Sequence, residues 1–316
     1  MPANALNCAE SKGQYPEDIR QAKSAIDWDL APTMKKPRLD NQRFSDICKQ
    51  SSSMQRVAGG DTCQAFHLPD APGGPLFLKM RKDAPPNFFA CEARGLAAIA
   101  ATKTIRVPEV VAGGKDFLLL EFIPLGAMDT SCWLACADAL ARLHSCSAPH
   151  FGFHEDNYCG ATPQPNPSCE DGYEFFARAR LGHQATLAAA RGLLTAGEEA
   201  AVHRIGEHLA EWIPVQPPSL LHGDLWAGNI CAAQNGTPVL VDPAAHWGWG
   251  EADLAMMELF AAPNRFFLDC YREHRPQAPG WEERVPLYNL YHLLNHLNLF
   301  GQQWHSSVLS ILQRFA

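Results

Sequence analysis

The apolar positions of this chain change period once along its length. Between residues 55 and 123 they alternate in short runs, the pattern of half-buried strands. Gln55-Arg56-Val57-Ala58 and Gln64-Ala65-Phe66-His67-Leu68 flank Gly59-Gly60-Asp61-Thr62-Cys63, and Leu76-Phe77-Leu78-Lys79-Met80 follows, so a hairpin continuing into a third strand is predicted. Residues 87–102 carry Phe88, Cys91, Leu96 and Ile99 at helical spacing. Pro108 then breaks the pattern, Gly113-Gly114 reads as a turn, and residues 116–123 read as a strand closed by Pro124 and Gly126. Beyond that point the helical period dominates. Helices are predicted over 135–146, 171–190, 196–212, from about Ala252, and over 287–300. Two features interrupt them: a Gly-, Asn- and Pro-rich stretch over 149–169, read as a lid, a docking surface or a crossover, and two short strands around a polar loop over 219–242.

The expected architecture is therefore α+β and bilobal. Residues 37–123 form a small lobe built on an antiparallel sheet, and residues 124–316 form a mostly helical lobe. Residues 1–36 lack sustained periodicity and read as a poorly ordered extension; Phe44, Ile47 and Cys48 mark a short helical stripe after it.

Composition narrows the function classes. At 316 residues and 47% hydrophobic content the chain can bury a sizeable core. A net charge of −8, from 26 basic and 34 acidic residues without a basic cluster, argues against nucleic acid as a partner. No apolar window has the length of a membrane span. No secretory signal is evident, and the acidic residues among 1–36 disfavour organelle targeting, so a cytoplasmic location is expected. The eleven cysteines are scattered without a C-x-x-C pair and read as reduced thiols.

Chemistry concentrates in residues 219–242. His222-Gly223-Asp224 follows one apolar run, Asn229 comes five residues after the aspartate, and Val239-Leu240-Val241 delivers Asp242. In phosphotransferases an aspartate in such a loop takes the proton of the attacking hydroxyl, and the asparagine and second aspartate hold metal. Upstream, Lys79 on a strand is placed to reach nucleotide phosphates, Glu92 is its candidate partner, and the Gly59-Gly60-Asp61-Thr62 turn admits close phosphate approach. Backbone groups of Glu121, Phe122 and Ile123 are candidates for the adenine edge. Asp253, near a helix start, and His222 are assigned supporting roles for the loop.

These residues resemble the fructosamine kinase (ketosamine-3-kinase) family. The resemblance covers roughly residues 40–312 and rests on Leu221-His222-Gly223-Asp224-Leu225-Trp226-Ala227-Gly228-Asn229, on Asp242-Pro243-Ala244, on Glu251-Ala252-Asp253-Leu254-Ala255-Met256 and on Leu294-Asn295-His296-Leu297-Asn298-Leu299-Phe300-Gly301. Phe151-Gly152-Phe153-His154, Asn157 and Phe175-Phe176-Ala177-Arg178 are further matches. It implies a protein-kinase-like fold related to aminoglycoside phosphotransferases. It also implies ATP and Mg²⁺ as cofactors, and phosphorylation of the 3-hydroxyl of a ketosamine, free or on a glycated protein, leading to deglycation. Asp224 is then the catalytic base, Asn229 and Asp242 the metal ligands, and Trp226, His246 and Trp247 the walls of the sugar site. Trp226 separates this family from aminoglycoside and choline kinases. Ala227 and Trp249 depart from its common pattern, and both departures bear on sugar preference. A monomer or dimer is expected. The alternatives are a kinase of another small metabolite and a nucleotide-binding pseudokinase. Cys63, beside the glycine turn, is a candidate for redox regulation or a plain strand cysteine.

Overall fold

In the computed structural model, residue 47 and residues 53–57, 62–260 and 265–316 are described. The extension over 1–36, Phe44, Cys48 and the Gly59-Gly60-Asp61 turn lie outside these residues. Five strands make one antiparallel sheet: β1 (Gln55–Val57), β2 (Gln64–Leu68), β3 (Leu76–Met80), β4 (Val110–Gly113) and β5 (Phe117–Glu121), in the order β1-β2-β3-β5-β4. Helix α1 (Phe88–Thr102) covers one face.

Register explains how this lobe presents its lysine. Directly opposed residues on paired strands point to the same face. Leu78 pairs with Leu119, and both pack with Leu68, Leu76 and Phe117 on the face away from α1. Lys79 pairs with Leu118, which packs with Leu96 and Phe89 of α1. The one-residue alternation thus turns Lys79 toward the helix, and toward Glu92 on it.

Val110–Gly113 is a strand rather than the connector that Pro108 suggested, an edge strand with its register shifted between Val110 and Ala112. Pro108 precedes it and removes no ladder bond.

The second lobe begins with α2 (Thr130–Ser145), five residues earlier than its apolar pattern indicates. Asp129 sets that start by accepting the Cys132 N–H at 2.9 Å. Where an irregular lid or docking surface was one expectation, the chain forms a hairpin, β6 (Asn157–Cys159) and β7 (Thr162–Gln164). Buried amides fix it: Asn157 donates to Ala245 O at 2.9 Å, and Gln164 donates to Asn157 Oδ1 at 2.7 Å. It is an anchored element, not a free flap.

The helix expected over 171–190 is three continuous pieces, α3 (Gly172–Phe175), a π-helical stretch (Phe176–Gly182) and α4 (His183–Ala190). Helix α5 (Ala196–Glu207) follows. The polar loop then lies between β8 (Ser219–Leu221), β9 (Ile230–Ala232) and β10 (Pro238–Leu240); β11 (His246–Gly248) pairs with β8. Helices α6 (Gly250–Phe260), α7 (Arg265–His274), α8 (Trp281–Phe300) and α9 (His305–Phe315) complete the core. No helix among the described residues is long and apolar enough to cross a membrane.

Candidate active site

The two lobes enclose a cavity of about 280 Å³. Its first-lobe wall includes Thr62, Lys79 and Glu92, its floor Asp224, Asn229 and Asp242, and its remaining lining Trp226, Phe260, Asn295, His296 and Trp304.

Lys79 is buried and triply bound. Its Nζ donates to Glu92 Oε1 at 2.8 Å, to Glu92 Oε2 at 2.9 Å and to Asp242 Oδ1 at 2.8 Å. Burial alone would lower this ammonium, but the carboxylates of Asp242 and Glu92 outweigh it and hold the group charged well above its ordinary range.

The loop after β8 is built on Asp253. The N–H groups of His222 and Gly223 donate to the two oxygens of its carboxylate, at 2.7 and 2.9 Å. His144 Nε2 reaches the same carboxylate at 3.1 Å. Burial alone would raise Asp253, but the bonds from His144 and Gly223 and the nearby imidazoles hold it below its ordinary value. His222 is kept neutral by burial, and the hydrogen bonds assign its tautomer. Nε2–H donates to Val241 O at 2.8 Å, leaving Nδ1 to accept the Asp224 N–H at 3.3 Å. Gly223 has φ +82°, and a Cβ there would lie 2.1 Å from Ala244 O. No other residue fits that corner.

Asp224 is half-buried. Desolvation, reinforced by the charges of Asp242 and Asp253, pushes its carboxyl up to about 7. Asn229 Nδ2 donates to Asp224 O at 2.8 Å, which leaves Asn229 Oδ1 as a free acceptor among the described residues. Asp242 has φ +57°, an uncommon conformation for a residue with a side chain. That turn carries its carboxylate to the cleft, where its side chain is 41% exposed. Two hard oxygen donors on one floor fit a divalent cation such as Mg²⁺.

Of the three residues proposed for an adenine edge, Glu121 N–H is bound to Glu109 O and Phe122 N–H to Pro75 O, at 2.9 and 3.3 Å. That reading narrows to Ile123 N–H and the carbonyls. Cys63 is half-buried, and burial raises its thiol, so it stays protonated at neutral pH.

The sugar-wall expectation needs correction. Trp226 does line the cavity, at 40% exposure, with its ring over Gly228 and 5.9 Å from that of Phe260. His246 and Trp247 do not. They sit on β11 opposite Leu221 and Leu220, at 5% and 3% exposure, because that strand is buried on both faces. His246 Nδ1–H turns back to Ala244 O at 3.0 Å. Trp249 likewise belongs to an aromatic core with Tyr173, Phe176 and Tyr288, away from the cleft. Of the polar side chains on α8, Asn295 and His296 reach the cavity, and Tyr288 and His292 do not. Phe260, Phe300 and Trp304 also line it; Phe300 belongs to the matched stretch Leu294–Gly301, while no motif announced Phe260 or Trp304. Phe260 and Phe300 each end a helix, and Trp304 directly precedes one.

Similarity to known proteins agrees with this geometry. The sequence model of the fructosamine kinase family matches residues 38–316. A probable ketoamine kinase of Synechocystis is 39% identical over 281 residues, 86% of this chain and 94% of that protein. A chloroplastic protein-ribulosamine 3-kinase of Arabidopsis thaliana is 36% identical over 280 residues, 84% of this chain and 83% of that one. A Thermobifida fusca crystal structure designated a fructosamine-3-kinase superposes with a TM-score of 0.79 at 30% identity, covering 87% of this chain and 98% of the other. The aminoglycoside phosphotransferase APH(2″)-IIa, at 14% identity and a TM-score of 0.56, shares the fold. The chain is a kinase-like phosphotransferase and belongs to the fructosamine kinase family.

Proposed function

We propose that the protein transfers the γ-phosphoryl group of ATP to the 3-hydroxyl of a ketosamine, formed from a sugar and either a free amine or a protein lysine. The resulting 3-phosphate decomposes and releases the amine, so the role is deglycation. The observation that carries this reading is that Asp224 lines one cavity together with Lys79, Asn229, Asp242 and the paired rings of Trp226 and Phe260. A base thus stands where a polyol stacked on rings would meet a phosphoryl group.

Asp224, with a carboxyl poised near neutrality, takes the proton of the attacking hydroxyl, and Asn229 orients it. Asn229 Oδ1 and Asp242 would hold Mg²⁺. That ion, when bound, neutralises charge on the phosphates. Lys79 exchanges its Asp242 contact for phosphate oxygens while Glu92 keeps it in place. Trp226 and His296 border the sugar.

The test is ATP consumption with fructosyl-, ribulosyl- and erythrulosyl-lysine, Asp224→Ala serving as the control and choline and an aminoglycoside as competing acceptors. Turnover with at least one ketosamine, absent in the variant, is expected. Turnover confined to choline or the aminoglycoside overturns the substrate assignment.

A further inference from the structure

Behind the floor of the cavity three potential metal ligands converge from separate elements: Cys159 at the end of β6, Asp224 in the loop after β8, and His292 on α8. Their ligand atoms all lie within 4.8 Å of one another. None of the nucleotide chemistry uses Cys159 or His292. Cys159 is 1% exposed, held by Asn295 Nδ2, which lies 3.3 Å from its sulfur. His292 is 4% exposed, and its Nδ1 is buried without a hydrogen-bond partner. A buried imidazole nitrogen left unpaired carries a desolvation cost that a ligand would remove. Burial holds this ring neutral, the form in which histidine binds metal.

We propose that Cys159, Asp224 and His292 form an inhibitory site for a thiophilic divalent cation of the zinc class. Sulfur, nitrogen and carboxylate oxygen are the donor set zinc takes, with the fourth position left for water from the cleft. A tetrahedral ion brings its donors to roughly 3.5 Å of one another, against separations here of no more than 4.8 Å. The thiolate distinguishes this site from the Asn229–Asp242 floor, whose oxygens suit the hard Mg²⁺ ion. In the metal-free protein burial keeps the Cys159 thiol protonated, so binding breaks the S–H bond, forms the S–Zn bond and releases the proton to solvent. Redox state is unchanged. With its negative charge shared with zinc, Asp224 is a much weaker base toward the substrate hydroxyl. That last consequence rests on the reading of Asp224 as base; the binding does not.

The experiment uses the full chain with Cys159→Ser and His292→Gln variants, each checked for a wild-type fold by circular dichroism. Added CoCl₂ should give wild type a near-ultraviolet thiolate-to-cobalt absorption that Cys159→Ser lacks. Calorimetry with ZnCl₂ should show affinity lower by on the order of tenfold or more in both variants. At saturating Mg²⁺ and ATP, zinc that silences the wild-type enzyme should leave Cys159→Ser active. A cobalt band unchanged in Cys159→Ser, or wild-type zinc affinity in both variants, overturns the site. Zinc that binds as expected but inhibits wild type and Cys159→Ser alike overturns its inhibitory role. Should no ketosamine be phosphorylated at all, the cobalt and calorimetric measurements still decide the binding.

Discussion

At the scale of single residues the site holds one carboxylate under tension. Asp224 has its carboxyl pushed up to about 7, chiefly by desolvation. A carboxyl with a raised folded pKa contributes stability that is complete below the unfolded value near 3.8 and lost as pH rises through about 7. Asp224→Asn removes this cost. We expect the variant to lose turnover by roughly 10²–10⁴-fold, and its nucleotide-free form to melt a few degrees higher than wild type at pH 8. The gain should shrink toward pH 4. Melting curves across that range check the sign, and a variant less stable at pH 8 would refute the assignment. The same scale shows what was legible. Lys79, Glu92 and Asp242 were readable because chemistry demands those types at those places. His246 and Trp247 were misread because adjacency to Asp242 in sequence says nothing about which strand pairs with β8.

Elements show a similar division. Strands β3 and β5 and helix α1 were legible from period alone, since each buries one face. The β6–β7 hairpin was not, because buried amides rather than apolar side chains hold it: Gln164 also donates to Ala244 O, at 3.1 Å, and Asn166 to Asn157 Oδ1, at 2.9 Å. The edge strand β4 was obscured by the proline before it and the glycines at its end. The tie between α6 and the loop after β8 was half legible. Asp253 near a helix start suggested a brace, but only the fold supplies His144, with Tyr271 O–H donating to its Nδ1 at 2.8 Å. Asp253→Asn keeps the size and turns one acceptor into a donor facing an N–H. The loss of acceptors for His222 and Gly223 should destabilise the protein by roughly 2–4 kcal/mol. It should also lower kcat while leaving the KM for ATP unchanged. Denaturant unfolding and steady-state kinetics on one preparation measure both, and a raised KM for ATP alone would place Asp253 in the nucleotide site instead.

At the scale of the molecule, the lobes meet along a seam of several bonds. Lys79 pairs with Asp242, Arg94 of α1 with Glu155, and Tyr158 O–H donates to Pro86 O at 3.0 Å. Because the latter two persist without Lys79, Lys79→Met should fold and yet lose on the order of 10²-fold in kcat/KM for ATP. Normal ATP kinetics in that variant would remove Lys79 from the nucleotide site. The helical lobe carries a second collective property. His144, His222, His246 and His292 are all held below their ordinary values by burial, His292 at about 3. For groups depressed in the fold, stability is present above the unfolded value near 6.5 and lost as pH falls below it, because the unfolded chain takes up protons that the fold refuses. A histidine that the fold keeps wholly neutral over this range, as His292 is, adds up to about 1.4 kcal/mol per pH unit to that slope. Asp224 and Glu92, whose carboxyls are both pushed up to about 7, oppose it, so the net slope is smaller than the histidines alone would give. Urea unfolding between pH 7 and 5 measures this slope, and His292→Gln should reduce it by one proton. An unchanged slope in that variant would mean that His292 is already protonated in the fold, which its burial beside His296 argues against.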